Sequence, residues 1–242
     1  MKELTEKTIG EIVAEDYRTA AVFEDYQIDF CCNGHRSFSQ ACSDKDIDSQ
    51  ELLSKLEKVM QPINNDAIDF KSWPLDLLVD YIEKKHHRYV EEKIPVLKQY
   101  LEKINQVHGS THPELLKIKE LFNASAGELA AHMKKEEFIL FPFIRNLVNT
   151  NRSGKPPVEP HFGKVENPIN MLVQEHNNEG ERFREISSLS NNYASPDDAC
   201  NTYKVTYATL KEFEDDLHLH IHLENNILFP KAMEMENNLR NE

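Results

Sequence analysis

The chain contains one short motif twice, and this repeat constrains the fold more than any other feature. Residues 132–142 read HMKKEEFILFP and residues 220–230 read HIHLENNILFP. Both copies therefore follow the pattern H-x-x-x-E-x-x-I-L-F-P. Each copy also has a histidine upstream at nearly the same distance, 45 residues in the first case and 44 in the second. The repeat indicates two equivalent units, each carrying two histidines and one glutamate.

The spacing within the motif predicts a metal site inside a helical bundle. Residues four apart on a helix lie on the same face, and the apolar Ile-Leu-Phe that follows marks this face as buried. A buried, ionised glutamate is strongly unfavourable unless a counter-charge compensates it. Imidazoles and carboxylates together suit iron, manganese or zinc, and a carboxylate can bridge two ions. The predicted ligands are His87, His132, Glu136, His176, His220 and Glu224.

Three further histidines lie close to this predicted set. His86 is adjacent to His87 and is an alternative ligand, although the match between the 45- and 44-residue spacings favours His87. His218 and His222 lie two residues either side of His220, so a helix turns them away from the site. We therefore expect these two side chains to be solvated.

The remaining pattern predicts four long helices after a linker. Residues 61–74 lose the helical period and contain two prolines, which indicates a linker between two domains. The predicted bundle spans residues 75–242, with helices over 75–107, 113–149, 168–191 and 196–237, the last capped by Ser195. Pro95, Pro142 and Pro230 should each kink a helix or end its regular part.

Residues 1–60 form the other predicted domain, which consists of several short helices. Thr8 and Glu11 are spaced as a capping box, which places a helix start at this point. A loop follows at 27–37, where Cys31 and Cys32 are adjacent. Neighbouring cysteines strain any disulfide between them, because their Cα atoms are only about 3.8 Å apart. Such a pair is expected to be redox-labile.

Composition excludes several classes of protein. The net charge of −14 argues against sequence-independent binding to nucleic acid, because phosphate would be repelled. The N-terminus has no apolar segment of a secretory signal, and no stretch is long enough to span a membrane. Four cysteines in a chain of this length do not indicate a disulfide framework. We expect a cytoplasmic protein.

These motifs together resemble a known family. The segment Tyr26–Gly34 reads YQIDFCCNG and is similar to the pattern Y-x-[ML]-D-[YF]-C-C-x-G of the iron–sulfur cluster repair di-iron proteins. The bundle motifs are similar to those of the hemerythrin-like domain of that family: His87-x7-Pro95, His132-x3-Glu136-x5-Pro142, Glu175-His176 and His220-x3-Glu224-Asn-Asn-Ile-Leu-Phe-Pro. The resemblance extends over nearly the whole chain.

The resemblance implies a centre of two non-haem iron ions with an oxo or hydroxo bridge. One ion would be held by His87 and His132 and the other by His176 and His220, with Glu136 and Glu224 bridging them. It also implies that Cys31 and Cys32 act in the reaction, and that the partners are iron–sulfur proteins damaged by nitric oxide or oxidants. Monomer and homodimer both stay open.

Two other functions are compatible with such a site. A di-iron enzyme could reduce nitric oxide or scavenge peroxide, with cluster repair as a downstream consequence. A hemerythrin-type protein could bind or sense oxygen. The predicted set of four histidines and two glutamates argues against an oxygen carrier, because the oxygen-carrying hemerythrins have a site richer in histidine.

Overall fold

Helices form the regular secondary structure of residues 2–61, 68–154 and 160–241, the parts of the chain that the computed structural model describes. Within these ranges there is no β-strand, which confirms the predicted all-α class. The N-terminal part holds five short helices: α1 (Lys2–Thr5), α2 (Ile9–Glu15), α3 (Thr19–Asp25), α4 (Phe38–Asp44) and α5 (Ser49–Met60). The capping box is confirmed, because Thr8 Oγ1 accepts the Glu11 N–H and Glu11 Oε2 accepts the Thr8 N–H.

Four long helices follow, and three of them are interrupted by a wide turn of π-helix. The first consists of α6 (Leu75–Tyr81) and α7 (Arg88–His108), the second of α8 (Glu114–Lys135) and α9 (Phe141–Ser153), the third of α10 (Glu166–Leu189), and the fourth of α11 (Asn201–Leu223) and α12 (Phe229–Asn241). The predicted start of the fourth helix is wrong: it is capped at Cys200, five residues beyond Ser195. Residues 62–67 of the predicted linker lie outside the described ranges, so the domain boundary stays a prediction.

The wide turns explain how the bundle accommodates two of its three internal prolines. Pro142 and Pro230 have no N–H to give to the residue four positions earlier. Just before each proline the helix widens, over Glu136–Leu140 and over Glu224–Leu228. The third wide turn, Ile82–His87, contains no proline, and α7 continues through Pro95 without ending there.

The apolar core of the bundle is divided into two clusters. One includes Leu129 and Met133 together with buried residues of the N-terminal helices. The other includes Leu140 and Phe141 and the opposite end of the bundle. Glu136 lies between these two pairs along the second helix, and the other predicted ligands lie at the same level on their own helices. The fold therefore places one polar layer between two apolar clusters.

Candidate metal centre

The six predicted ligands all lie inside the bundle. At most 3% of the surface of each residue is exposed, and the two glutamates are fully buried: His87, His132, Glu136, His176, His220 and Glu224. Three of the six lie in the wide turns, where His87 ends the first and the two glutamates begin the others. A wide turn shifts the side chains that follow it around the helix axis, and such turns are frequent at functional sites.

The structure brings the six residues together in two groups of four. His87, Glu136, His220 and Glu224 form the first group, and His132, Glu136, His176 and Glu224 form the second. In each group the candidate ligand atoms lie within 4.8 Å of one another. The expected pairing of His87 with His132 and of His176 with His220 is therefore wrong. Each pair comes instead from two different units of the repeat.

Both glutamates belong to both groups. Glu136 Oε2 is 3.3 Å from His87 Nε2 and 3.4 Å from His132 Nε2. Glu224 Oε1 is 3.1 Å from His220 Nε2, and its Oε2 is 3.2 Å from His176 Nε2. Each carboxylate thus lies between a histidine of the first group and a histidine of the second. This is the arrangement that two bridging carboxylates require.

The polar atoms of the site are arranged to bind cations rather than to form hydrogen bonds with one another. The Nε2 atoms of His132 and His176 are 3.1 Å apart. Both oxygens of Glu136 and the Oε2 of Glu224 are buried without a hydrogen-bond partner among the described residues. Two carboxylates in a dry interior need positive charge nearby. Burial raises the pKa of Glu136, but the adjacent histidines outweigh this effect and hold that pKa below its ordinary value, so the carboxylate is ionised.

Three of the four predicted histidine ligands are oriented through their second nitrogen, whereas Nδ1 of His220 has no hydrogen-bond partner among the described residues. His132 Nδ1 is 2.9 Å from Glu175 Oε2, and His87 Nδ1 is 3.1 Å from Glu137 Oε1. His176 Nδ1 is 2.8 Å from the side-chain oxygen of Asn225. A partner on Nδ1 leaves Nε2 free to face a cation. The motif spacing assigns no role to these three partners, although each is a direct sequence neighbour of a predicted ligand.

The charges of the two carboxylate partners are balanced by lysines. Glu175 pairs with Lys135, and Glu137 pairs with Lys134. The hydrogen bond from His132 lowers the pKa of Glu175 to about 2, and Lys135 acts in the same direction. Glu175 is therefore a fixed negative charge that favours a proton on His132 Nδ1 and leaves the other nitrogen for a metal.

The phenylalanine of each motif copy packs against a ligand of another helix. Phe141 stacks on His87 with ring centroids 5.5 Å apart and an angle of 19° between the planes. Phe229 stacks on His176 at 5.9 Å and 3°. The repeated Phe-Pro therefore has a structural role at the site: the proline accompanies the wide turn, and the phenylalanine covers a histidine and excludes water.

The expectation that His218 and His222 are solvated is wrong. His222 is 1% exposed, packs against Phe30 and is 3.0 Å from the Asn226 amide nitrogen. His218 is about one-fifth exposed and lies 3.6 Å from Glu24. Both side chains do face away from the metal groups, as a helix requires. They are covered because the N-terminal helices pack on that face.

His86 is also buried, but it is not a member of either metal group. Its Nδ1 is 3.1 Å from Asp216 Oδ1, and its ring stacks on His220 with centroids 5.5 Å apart. Burial lowers the pKa of His86, although Asp216 opposes this effect. The structure therefore places His86 behind His220, whereas His87 faces the two glutamates.

Cys31 and Cys32 lie against the bundle beside His176. Both are buried free thiols, and their sulfur atoms are 3.7 Å apart. Asp29 Oδ1 accepts the backbone N–H groups of both cysteines, and its Oδ2 pairs with Arg184. Asp29 therefore closes the loop as a structural cap, and its oxygens are already occupied by donors.

The fold and the site together define a helical metal-binding bundle with an N-terminal extension. No helix among the described residues is long and apolar enough to cross a membrane. The Hemerythrin HHE cation binding domain matches residues 78–232, and the ScdA_N domain, described as a domain of unknown function, matches residues 5–60.

Curated relatives cover almost the whole chain. The iron–sulfur cluster repair protein YtfE of Pectobacterium atrosepticum is 33% identical over 96% of this chain and 98% of its own length. YtfE of Escherichia coli O8 is 32% identical over 94% of this chain and 97% of its own. ScdA of Staphylococcus epidermidis is 30% identical over 94% and 98%. The chain belongs to this family of iron–sulfur cluster repair proteins.

Proposed function

We propose that the protein repairs iron–sulfur clusters damaged by nitrosative or oxidative stress, and that it uses two iron ions held in the bundle. The observation that carries this proposal is the pair of buried four-residue groups that share Glu136 and Glu224. The names of the full-length relatives supply the repair role. The partners would be proteins with damaged clusters, and a cytoplasmic location stays a prediction.

The donor set supports iron with exchangeable positions. Each group offers two imidazole nitrogens and carboxylate oxygens from both glutamates. Mixed histidine and carboxylate donors with open positions are typical of non-haem iron. Such an ion supplies a place where an oxo or hydroxo bridge, nitric oxide or peroxide can bind. Thiolate-free ligation of this kind is also suited to an exchange of iron with the thiolates and sulfides of a damaged cluster.

The residues of the chain have distinct roles in this proposal. Glu136 and Glu224 compensate the charge of the two ions and hold them together. The Nδ1 partners orient the histidine rings, and Phe141 and Phe229 exclude water from the site. The predicted role of Cys31 and Cys32 is to accept a nitrosyl group or electrons at the edge of the centre beside His176.

The direct test is the reactivation of a [4Fe–4S] dehydratase that has been inactivated by nitric oxide. We expect the iron-loaded wild-type protein to restore activity and His132→Ala to be at least about tenfold slower, because loss of even a hydrogen-bond partner of a metal ligand commonly costs 10- to 100-fold in metal affinity or activity. Circular dichroism verifies that both proteins are folded. Equal rates for both folded proteins, or no reactivation by either, would overturn the proposed role.

The cysteine pair is tested separately from the metal ligands. We expect Cys31→Ser and Cys32→Ser to lower the repair rate severalfold while both variants retain two metal ions per chain. Serine preserves size and hydrogen bonding but removes the soft, oxidisable sulfur. Cys42→Ser, at another buried free thiol, is the matched control. Unchanged repair in both loop variants would exclude a role for the thiols.

A second candidate is a di-iron enzyme that reduces nitric oxide or removes peroxide. The shared glutamates favour it, because they place two cation positions close enough for two small ligands to meet. Anaerobic mixing of the reduced protein with nitric oxide and an excess of an electron donor distinguishes the two functions. Catalytic formation of nitrous oxide supports the enzyme, and a stoichiometric nitrosyl adduct supports repair.

Reversible oxygen binding without oxidation of the iron would instead indicate a hemerythrin-type carrier or sensor.

A further inference from the structure

Within the described parts of the chain, the hydrogen bonds that connect the Cys31–Cys32 loop to a predicted ligand all lead to His176, which belongs to one of the two metal groups. The Cys32 thiol donates to the backbone carbonyl of His176, with a sulfur–oxygen distance of 3.3 Å. The Asn225 amide nitrogen donates to the carbonyl of Cys31 at 3.2 Å, and its oxygen faces His176 Nδ1 at 2.8 Å. The loop is therefore connected to His176 in two ways, directly through the backbone carbonyl and through Asn225 to the ring.

Gly180 makes this close approach possible. It lies one turn after His176 on α10, and a Cβ atom at this position would be only 2.9 Å from Cys32 Sγ. The same Cβ would be 3.4 Å from the Arg184 guanidinium, which pairs with Asp29 of the loop. Any side chain at position 180 therefore displaces the Cys32 thiol from its contact with the helix. Gly180 is the seat on which the loop rests.

The other histidine partners do not involve the N-terminal segment. Glu137 orients His87 and Glu175 orients His132, and both are carboxylates on the bundle helices that are paired with lysines of the bundle. Among the described residues that contact Nδ1 of a predicted ligand, Asn225 is the one that also bonds to the N-terminal loop. The two groups thus differ in what holds them: the second group contains the one ligand whose orientation depends on a separate segment of the chain.

We propose that the Cys31–Cys32 loop is a latch that retains the metal of the His132–His176 group. Asn225 is the positioning residue of this latch, and Gly180 is its seat. The inference rests on the proposed metal centre and deepens it. When the loop lifts, the Asn225 amide loses its acceptor on Cys31 and is free to rotate, so His176 Nδ1 loses a fixed partner. One ion is then released more readily than the other.

This asymmetry gives the two ions different roles. The hydrogen bonds of the loop do not lead to His87 or His220, so these two residues would keep an ion of the His87–His220 group in place when the loop moves. The ion of the His132–His176 group becomes exchangeable. A bulkier side chain at position 32 would be too close to α10 at Gly180, so it would open the latch.

The test follows the release of ferrous iron from the full chain to an excess of a ferrous chelator under anaerobic conditions. We expect Asn225→Ala to release one ion per chain about 10- to 100-fold faster than the wild type, as is usual when a partner of a ligating histidine is removed. The second ion should leave at the wild-type rate. Gly180→Ala should increase the release rate of the same ion to a smaller extent, although it changes neither a ligand nor Asn225.

Two double variants identify which ion is released. Glu137→Ala is the matched control, because it removes the Nδ1 partner of His87 in the other group. Asn225→Ala combined with Gly180→Ala should release no more than one fast ion, whereas Asn225→Ala combined with Glu137→Ala should release two. A change of Gly180 to alanine also favours the helix, so a folding defect at this position is not expected.

The outcomes separate the latch from the metal centre itself. If the wild type binds fewer than two ions, both the centre and the latch are overturned. If the wild type binds two, but Asn225→Ala and Gly180→Ala accelerate both ions equally or neither ion, only the latch is overturned. Faster release of one ion in both variants, with the expected behaviour of the double variants, supports the latch, because a general loosening of the bundle would affect both groups.

Discussion

Replacing Glu224 by glutamine should remove both metal ions from the protein rather than one. The two oxygens of this carboxylate face His220 of one group and His176 of the other, so a single substitution changes both. Glutamine keeps the shape but removes the charge that compensates the cations in a dry interior. We expect metal content to fall from two ions per chain to nearly none, with affinity lowered by more than about 100-fold. Elemental analysis after anaerobic loading and gel filtration measures it.

The comparison with variants of single-group ligands makes this test specific. His220→Ala changes only the first group, so we expect it to lose one ion before the other. Glu120→Gln removes an exposed carboxylate from α8 and should retain both ions. Glu136→Gln should behave as Glu224→Gln does, since it contacts both groups as well. Retention of one tightly bound ion in Glu224→Gln would show that this carboxylate is not shared.

The repeated motif predicted which six residues lie close together but not how they are grouped. Four-residue spacing and the following apolar residues placed His132 with Glu136 on one buried face, and the structure brings all six predicted residues into one layer. The pairing depends on which helices are adjacent across the bundle. Neither spacing nor periodicity contains that information. The pairs taken from the family resemblance, His87 with His132 and His176 with His220, differ from the groups in the structure.

The surroundings of the centre were harder to predict because they depend on a second segment. Helical periodicity correctly turned His218 and His222 away from the metal groups, but it cannot show that α2 and the cysteine loop cover that face. The role of Asn225 could not be predicted for the same reason. Local sequence does not distinguish an exposed asparagine from one that bridges two segments of the chain. Pro142 and Pro230 did indicate irregular helix, but α7 continues through Pro95, and the wide turn at His87 has no proline to reveal it.

The metal-free protein should be less stable than a variant that has lost its metal-binding carboxylates. Without cations, Glu136 and Glu224 are buried charges with three oxygens that lack hydrogen-bond partners among the described residues. We expect Glu136→Leu combined with Glu224→Leu to be about 1–4 kcal/mol more stable to urea than the metal-free wild type, because apolar groups often replace buried ion pairs with a gain in stability. The control is Glu120→Gln, which should not change the free energy of unfolding of the metal-free protein.

Metal should reverse this order. Binding to the folded state alone stabilises by about 4 kcal/mol when the free metal is 1,000 times the dissociation constant. The wild type should therefore exceed the double leucine variant once loaded, while the variant should not respond to metal at all. If the metal-free wild type is the more stable protein, protonated histidines already compensate the charge of the two glutamates. His132 is the residue that would do so, because burial lowers its pKa but the neighbouring carboxylates outweigh this effect and raise that pKa to about 10. The test therefore compares four unfolding curves, those of the wild type and the double leucine variant with and without metal. If the wild type is the less stable protein without metal and the more stable one with it, the two buried glutamates are present in the core to bind cations.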